Sequence, residues 1–212
     1  MPHFQYASDQ SLLLTFGNEI SMATHVQVRK LLRSLELDKP AGVRNLHPAY
    51  CSLMLRFDPC RTCHEELERE IAGRRLDEIA LPEPRMVEIP VVYGGPDLDD
   101  VAQLHGITSD EVVRLHSGAI YTVYFLGFVP GFAYLGGMPD AIATPRLSSP
   151  RKRVEAGSVG IGGNQTGIYP VSTPGGWRLI GKTPLAMFQA ERENMSLLAI
   201  GDQVRFRPIE GA

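Results

Sequence analysis

The residues of this 212-residue chain best suited to chemistry are arginines and aromatics set among glycine-rich turns in its second half. Between Thr144 and Lys182, six basic side chains, Arg146, Arg151, Lys152, Arg153, Arg178 and Lys182, accompany a single acid, Glu155, so the stretch favours an anionic ligand. A planar guanidinium matches a carboxylate or phosphate in two-point hydrogen bonding. The glycine-rich run 156–163 offers backbone N–H donors for an anion nest. Lys152 and Arg153 fit a solvated or partner-docking basic face better than a ligand role. Upstream, a loop whose backbone is set by Pro130, Gly131, Gly136 and Gly137 alternates Phe132 and Tyr134 with small residues. These rings either line a shallow pocket for a flat amide or plug one end of a barrel. Gln165, Tyr169 and Trp177 add polar tips to the same region.

Other chemistries find less support. The six histidines, at positions 3, 25, 47, 64, 105 and 116, all precede the glycine-rich region, so no Ser-His-Asp arrangement is legible. His116, at the end of a helical pattern, is expected to meet the last helix carbonyls sooner than to act as an acid or base. The run from Gly157 to Gly167 lacks the G-K-[ST] of a P-loop, so ATP binding by this chain alone is not expected. Cys60-Arg61-Thr62-Cys63-His64 matches a haem-attachment spelling, and Cys51 makes a third thiol, but no second Cys or His pair completes a ligand set. Asp58-Pro59 reads instead as the start of a helix over 60–74, with the cysteines in its first turn.

The elements that position these groups fall into two blocks. The first, residues 1–84, reads β-β-α-β-β-α-β: runs 3–6 and 11–16, a helix over 21–37, runs 42–46 and 52–57, the helix over 60–74 and a closing run over 75–81. That order contains the split βαβ pattern of a ferredoxin-like α+β domain. Pro82, Pro84 and Pro90 then mark an extended crossover. In the second block, residues 85–212, two short helices over 97–105 and 109–116 come first, the latter opened by the capping box Thr108-Ser109-Asp110-Glu111. A hydrophobic strand over 119–128 follows. Twelve of the 21 glycines and seven of the 16 prolines lie between Gly127 and Pro184, which excludes long helices there and argues for a closed or nearly closed barrel of short strands.

Composition agrees with a folded, soluble chain: 43% hydrophobic and 21% charged residues. A formal net charge of -3 gives no global attraction to nucleic acid or an anionic membrane. No apolar run approaches a membrane span and no secretion signal is legible at the start, so the expected location is the cytoplasm, with reduced thiols.

The long, irregular strings LGFVPGFAYLGGMP and ATPRLSSPRKRVEAGSVGIGGNQTGIYPVSTPGGWRLIGKTPLAMF closely resemble the signature of one family. That family contains the B subunit of 5-oxoprolinase, allophanate hydrolase subunit 1, the matching carboxyltransferase part of urea carboxylase, and an inhibitor of a sporulation histidine kinase. The likeness extends to SLLLTFGNEI, HPAYCSLMLRFDP, EIPVVYGGPDLDDVAQLHG and GDQVRFRPI. It implies an N-terminal α+β domain followed by a cyclophilin-like β-barrel. It also implies a cytoplasmic subunit of a hydrolase for a cyclic amide, opening 5-oxoproline to glutamate with ATP. The partners would be a second cyclophilin-like subunit (the C subunit of 5-oxoprolinase or allophanate hydrolase subunit 2 type) and a third resembling the A subunit of 5-oxoprolinase. Motif by motif, the resemblance puts substrate contacts at Pro130, Gly131, Phe132, Tyr134, Gly136, Gln165 and Arg178. Arg146, Arg151 and Tyr169 take the catalytic positions. Glu155 departs from the family's more usual proline and sets a negative charge beside the arginines. The family also allows allophanate or urea as substrate, and a second role: a regulatory protein that docks on a histidine kinase and inhibits it. A prolyl isomerase fits less well.

Overall fold

The computed structural model describes residues 2–211, and the chain divides into two compact units, Met1–Glu83 and Pro84–Ala212. In the first unit β1 (His3–Ser8), β2 (Ser11–Thr15), β3 (Val43–Pro48) and β4 (Ser52–Phe57) form an antiparallel sheet in the order β1-β2-β4-β3. Alternation decides its faces: Leu12, Leu14, Leu53, Leu55 and Phe57 are buried, while Leu13 and Met54 between them are only partly covered. Helix α1 (Met22–Leu37) buries Val28, Leu31, Leu32 and Leu35, and α2 (His64–Ala72) buries Leu67 and Ile71. Ser21 caps α1 by accepting the Thr24 N–H at 3.1 Å. β2 and β3 each run antiparallel to β4, so they are parallel to one another with β4 between them, joined through α1.

Two expectations for this unit fail for local reasons. The second helix does not begin at Pro59. The Asp58 carboxylate accepts the Cys60 N–H at 3.1 Å and an Arg44 N–H at 2.9 Å, closing a turn, and the helix starts only after Cys63. Nor does 75–81 form a strand: it holds a 3-10 turn, Leu76–Glu78, tied by an Arg75–Glu78 contact of 2.8 Å. Pro82 and Pro84 beyond it supply no ladder donors.

In the second unit seven strands close a barrel. They are β5 (Met86–Tyr93), β6 (Tyr121–Leu126), β7 (Ala133–Gly136), β9 (Ser158–Gly162), β10 (Gln165–Ile168), β12 (Arg178–Lys182) and β13 (Gln203–Pro208), in the order β10-β7-β6-β13-β5-β12-β9. β5 and β13 are parallel and the other pairs antiparallel. Half of the expected crossover is therefore the first barrel strand. Pro90 is tolerated because β12 pairs with β5 only at Val92 and Tyr93, which leaves the proline one side without a donor to supply. A separate ribbon pairs β8 (Arg151–Val154) with β11 (Thr173–Gly175).

Helices α3 (Leu98–His105) and α4 (Ser109–Gly118) sit between β5 and β6. Gly106 ends α3 in the left-handed region, and Thr108 caps α4 by accepting the Glu111 N–H at 3.2 Å. Ile89, Val91, Tyr121, Val123, Leu135, Val159, Ile161, Ile180, Val204 and Phe206 pack one fully buried core. The barrel interior is thus packed with its own side chains. Among the described residues, no helix is long and apolar enough to cross a membrane.

Candidate functional site

The site lies on a second, smaller apolar cluster formed by Phe132, Val154, Tyr169, Trp177 and Leu179. Trp177 is its floor. Gly162 on β9 and Gly167 on β10 lie under the indole, Gly160 on β9 lies by the Trp177 β-carbon, and a Cβ at Gly162 would stand 2.5 Å from the ring. Of these, Gly160 and Gly162 belong to the run 156–163 expected to form an anion nest. Their backbone is instead spent on β9's ladders to β10 and β12, and their bare surface accepts the tryptophan. Phe132 meets Trp177 edge-on at 5.4 Å between centroids, Tyr169 at 5.4 Å and Tyr134 at 5.0 Å. Above this floor opens a recess of about 310 Å³, walled by Phe128, Phe132, Tyr134, Tyr169 and Trp177, with Arg146 and the prolines Pro150 and Pro174 at its border.

The β6–β7 loop that delivers Phe132 and Tyr134 is two tight turns in series. Val129 N–H donates to Gly127 O at 2.8 Å around Phe128, and Phe132 N–H donates to Val129 O at 3.1 Å around Pro130-Gly131. Proline fixes the first corner of the second turn, and Gly131, at φ 82°, takes the second with its α-carbon against Phe188. Pro130 and Gly131 therefore build the loop and border a neighbouring concavity rather than the recess. The strand expected through Phe128 ends at Leu126, where the first turn begins.

Charge separates the arginines. Arg151 donates to Asp97 at 2.6 Å, Arg153 to Glu155 at 2.8 Å and Arg178 to Asp100 at 3.2 Å. Arg146 has no acidic partner among the described residues, and its guanidinium carbon lies 5.7 Å from the Trp177 ring centroid, a cation–π distance. Burial pushes the Tyr134 phenol upward, opposed by the Arg146 charge. Burial also raises Tyr169, against a hydrogen bond with the Trp177 backbone and the same charge. Both hydroxyls therefore stay protonated at neutral pH.

The structure brings Phe132, Tyr134, Arg146 and Tyr169 together. It sends the other candidate residues elsewhere. Arg151 clamps the start of β8 to Asp97, whose second oxygen accepts the Leu179 N–H at 2.6 Å. Arg178 borders a separate open concavity with Asp100, Gln103 and Leu104. Gly136 is the contact surface for Tyr124, whose ring leaves no room for a Cβ. Gln165 is buried in β10 opposite Gly162.

His116 is neither a helix-end donor nor an exposed acid–base group. It is fully buried, with Nδ1 2.8 Å from the Tyr93 hydroxyl and Nε2 2.9 Å from Thr166 Oγ1. Thr166 gives its own proton to Gly160 O at 3.0 Å, so it accepts from Nε2–H, and Nδ1 accepts from Tyr93. Burial lowers the imidazole to about 3, which keeps it neutral.

In the haem-like run the histidine is committed, while Cys60 and Cys63 are exposed thiols. His64 Nε2 lies 2.9 Å from Ser8 O and the ring stacks on Tyr6 at 4.0 Å. Sequence alone does not reveal Asp97, the prolines at the border or Phe128 as parts of the site. The only signal for Asp97 is an acid at the head of a helix, indistinguishable from an ordinary cap.

A two-unit chain with a closed seven-stranded barrel and a ring-lined recess outside its core defines the class. Residues 2–198 match the family of the carboxyltransferase domain, subdomain C and D, and the chain belongs to that family, which includes the B subunit of 5-oxoprolinase. It is 42% identical to the 5-oxoprolinase B subunit of Bacillus subtilis, over 93% of this chain and 89% of that one. It is 54% identical to the Haemophilus influenzae protein of the same name, over 78% and 76% respectively. Urea amidolyase of Saccharomyces cerevisiae is 23% identical over 97% of this chain, which spans 13% of that enzyme. Among solved structures, TTHA0988 superposes with a TM-score of 0.87 at 38% identity, over 97% of this chain, and the chain spans 41% of that protein.

Proposed function

We propose that this chain is a subunit of an ATP-hydrolysing 5-oxoprolinase, a hydrolase that opens the lactam of 5-oxoproline to glutamate, and that the aromatic recess holds the lactam. The observation that carries the reading is Arg146: an arginine without an acidic partner among the described residues, standing over Trp177 at the border of a small recess of rings. A flat five-membered ring fits over Trp177 within the recess beside Phe132, its carboxylate pairs with Arg146, and Tyr134 and Tyr169 flank its amide. Relatives named as the B subunit of 5-oxoprolinase support the substrate, and the urea amidolyase likeness supports the wider amide chemistry.

A lactam carbonyl is a poor electrophile, and an ATP-derived phosphoryl group on its oxygen supplies the activation when nucleotide is bound. This recess offers one uncommitted guanidinium and no glycine nest, too little for a triphosphate. The nucleotide site is therefore assigned to the partners: a second cyclophilin-like subunit of the C type and a third of the A type. Within this chain Arg146 offsets the substrate's charge, the two tyrosines orient the amide, and the rings exclude water from one face. Arg151 acts only through its hold on Asp97. We read the barrel as cyclophilin-like, the first unit as a split βαβ with an added strand, and the working compartment as the cytoplasm.

The test is reconstitution. The three subunits together release phosphate in a 5-oxoproline-dependent manner, and Arg146→Ala raises KM by about tenfold or more, the loss expected for a charge-assisted contact. Unchanged kinetics in that variant would remove the assignment of the recess.

A further inference from the structure

We propose that Phe128 caps the ligand of the aromatic recess and sets its affinity for a planar ring; the inference rests on the reading of the recess just given. Two unrelated oddities meet at this residue. With φ at 68° it is the non-glycine residue of positive φ among the described residues, and its side chain is 59% exposed. The hydrogen bond from Val129 to Gly127 places it at the apex of a γ-turn of the rare, positive-φ hand. The loop holds it there. Gly127 N–H donates to Phe132 O at 3.0 Å, Phe132 N–H to Val129 O at 3.1 Å, and Gly131 is pressed on Phe188.

Glycine takes this backbone conformation with little strain, so the turn does not ask for a bulky ring. Nor does the core, since the ring is mostly in water. It stands instead edge-on to Phe132 at 5.7 Å and borders both the recess and the concavity beside it. A strained, wet aromatic held rigidly at the mouth of a ring-lined recess is arranged to gain contact when a flat ligand enters. A ring lying against Trp177 and Phe132 would cover the exposed Phe128 side chain and be shielded by it.

Trp177 is the single tryptophan of the chain and forms the floor of the recess, so its fluorescence reports occupancy directly. Titration of the chain with 5-oxoproline gives a saturable change. Phe128→Asn weakens the apparent affinity about tenfold, while its thermal midpoint stays within about 2 °C of the parent's because the mostly exposed ring packs little. Phe128→Tyr, which keeps the ring, recovers most of the lost affinity. In the reconstituted complex KM follows the same order, with kcat changing far less.

An asparagine variant that binds 5-oxoproline as tightly as the parent overturns the proposal. So does one that stops co-eluting with the second cyclophilin-like partner while its Trp177 titration is unaltered, since that assigns the ring to an interface between subunits. If the parent chain titrates but the complex never releases phosphate with 5-oxoproline, the functional reading falls and the capping role of Phe128 stands. If the parent itself gives no saturable change, both fall.

Discussion

At the scale of single residues, what distinguishes the arginines is their partners rather than their type. Four arginines share the basic stretch, and three of them are consumed by Asp97, Glu155 and Asp100. Sequence shows the cations and the surplus of charge, but it cannot show that acids 50 to 80 positions upstream fold back to neutralise two of them. The aromatics were more legible, because alternation with small residues fixes which side a ring leaves from, and Phe132 and Tyr134 do line the recess. Trp177 required knowing that glycines from two strands lie beneath it.

His116 gives a prediction at the same scale. The unfolded chain takes up a proton on this imidazole near pH 6.5, the folded chain only near pH 3. The unfolded state therefore binds more protons between those values. Stability is fully present above about pH 6.5 and falls by about 1.4 kcal/mol per pH unit as pH drops toward 3. Urea unfolding at pH 7, 6, 5 and 4 measures the slope, and His116→Gln, which removes the titrating group, should flatten it over that window. An unchanged slope in that variant assigns the pH dependence to the carboxylates.

At the scale of elements, the recess depends on a ribbon that does not belong to the barrel. β8 and β11 carry Pro150, Pro174 and Gly175 to its border, and the Asp97–Arg151 pair fastens β8 to the head of α3 and, through Leu179, to β12. Asp97 is 4% exposed and Arg151 29%. Removing one partner leaves the other poorly solvated, so Arg151→Ala should cost about 3 kcal/mol of stability. Arg146→Ala, at an exposed cation–π contact, should cost no more than about 1 kcal/mol. Urea midpoints of the two variants check this contrast: the account requires Arg151 to affect folding and Arg146 to affect substrate. Equal stability losses would contradict it.

Helices in this chain were readable because capping and periodicity are local: Thr108 caps as its spelling suggests, and α1 follows the spacing of Val28, Leu31, Leu32 and Leu35. The α2 start was misread because Asp58 serves a turn equally well. β5 was misread because proline is forbidden only where a strand is paired on the side that needs its donor.

At the scale of the whole molecule, the division near residue 84 and the barrel class follow from where prolines and glycines concentrate. Ring closure and strand order do not, since they depend on pairings between segments more than 100 residues apart, such as β5 with β13. The split of labour between the units follows from the same composition. The first unit buries leucines in alternating strands and one helix face, and the chemistry-bearing types lie in the turns of the second. Family membership adds the expectation of companion subunits.

The most direct test is a crystal structure of the assembled complex soaked with 5-oxoproline. The expected result is density for the lactam against Trp177, its carboxylate within about 3 Å of the Arg146 guanidinium and the Phe128 ring lying over it. A saturated ligand found on one of the partner proteins, with the recess beside Phe132 and Tyr134 empty, would contradict the account.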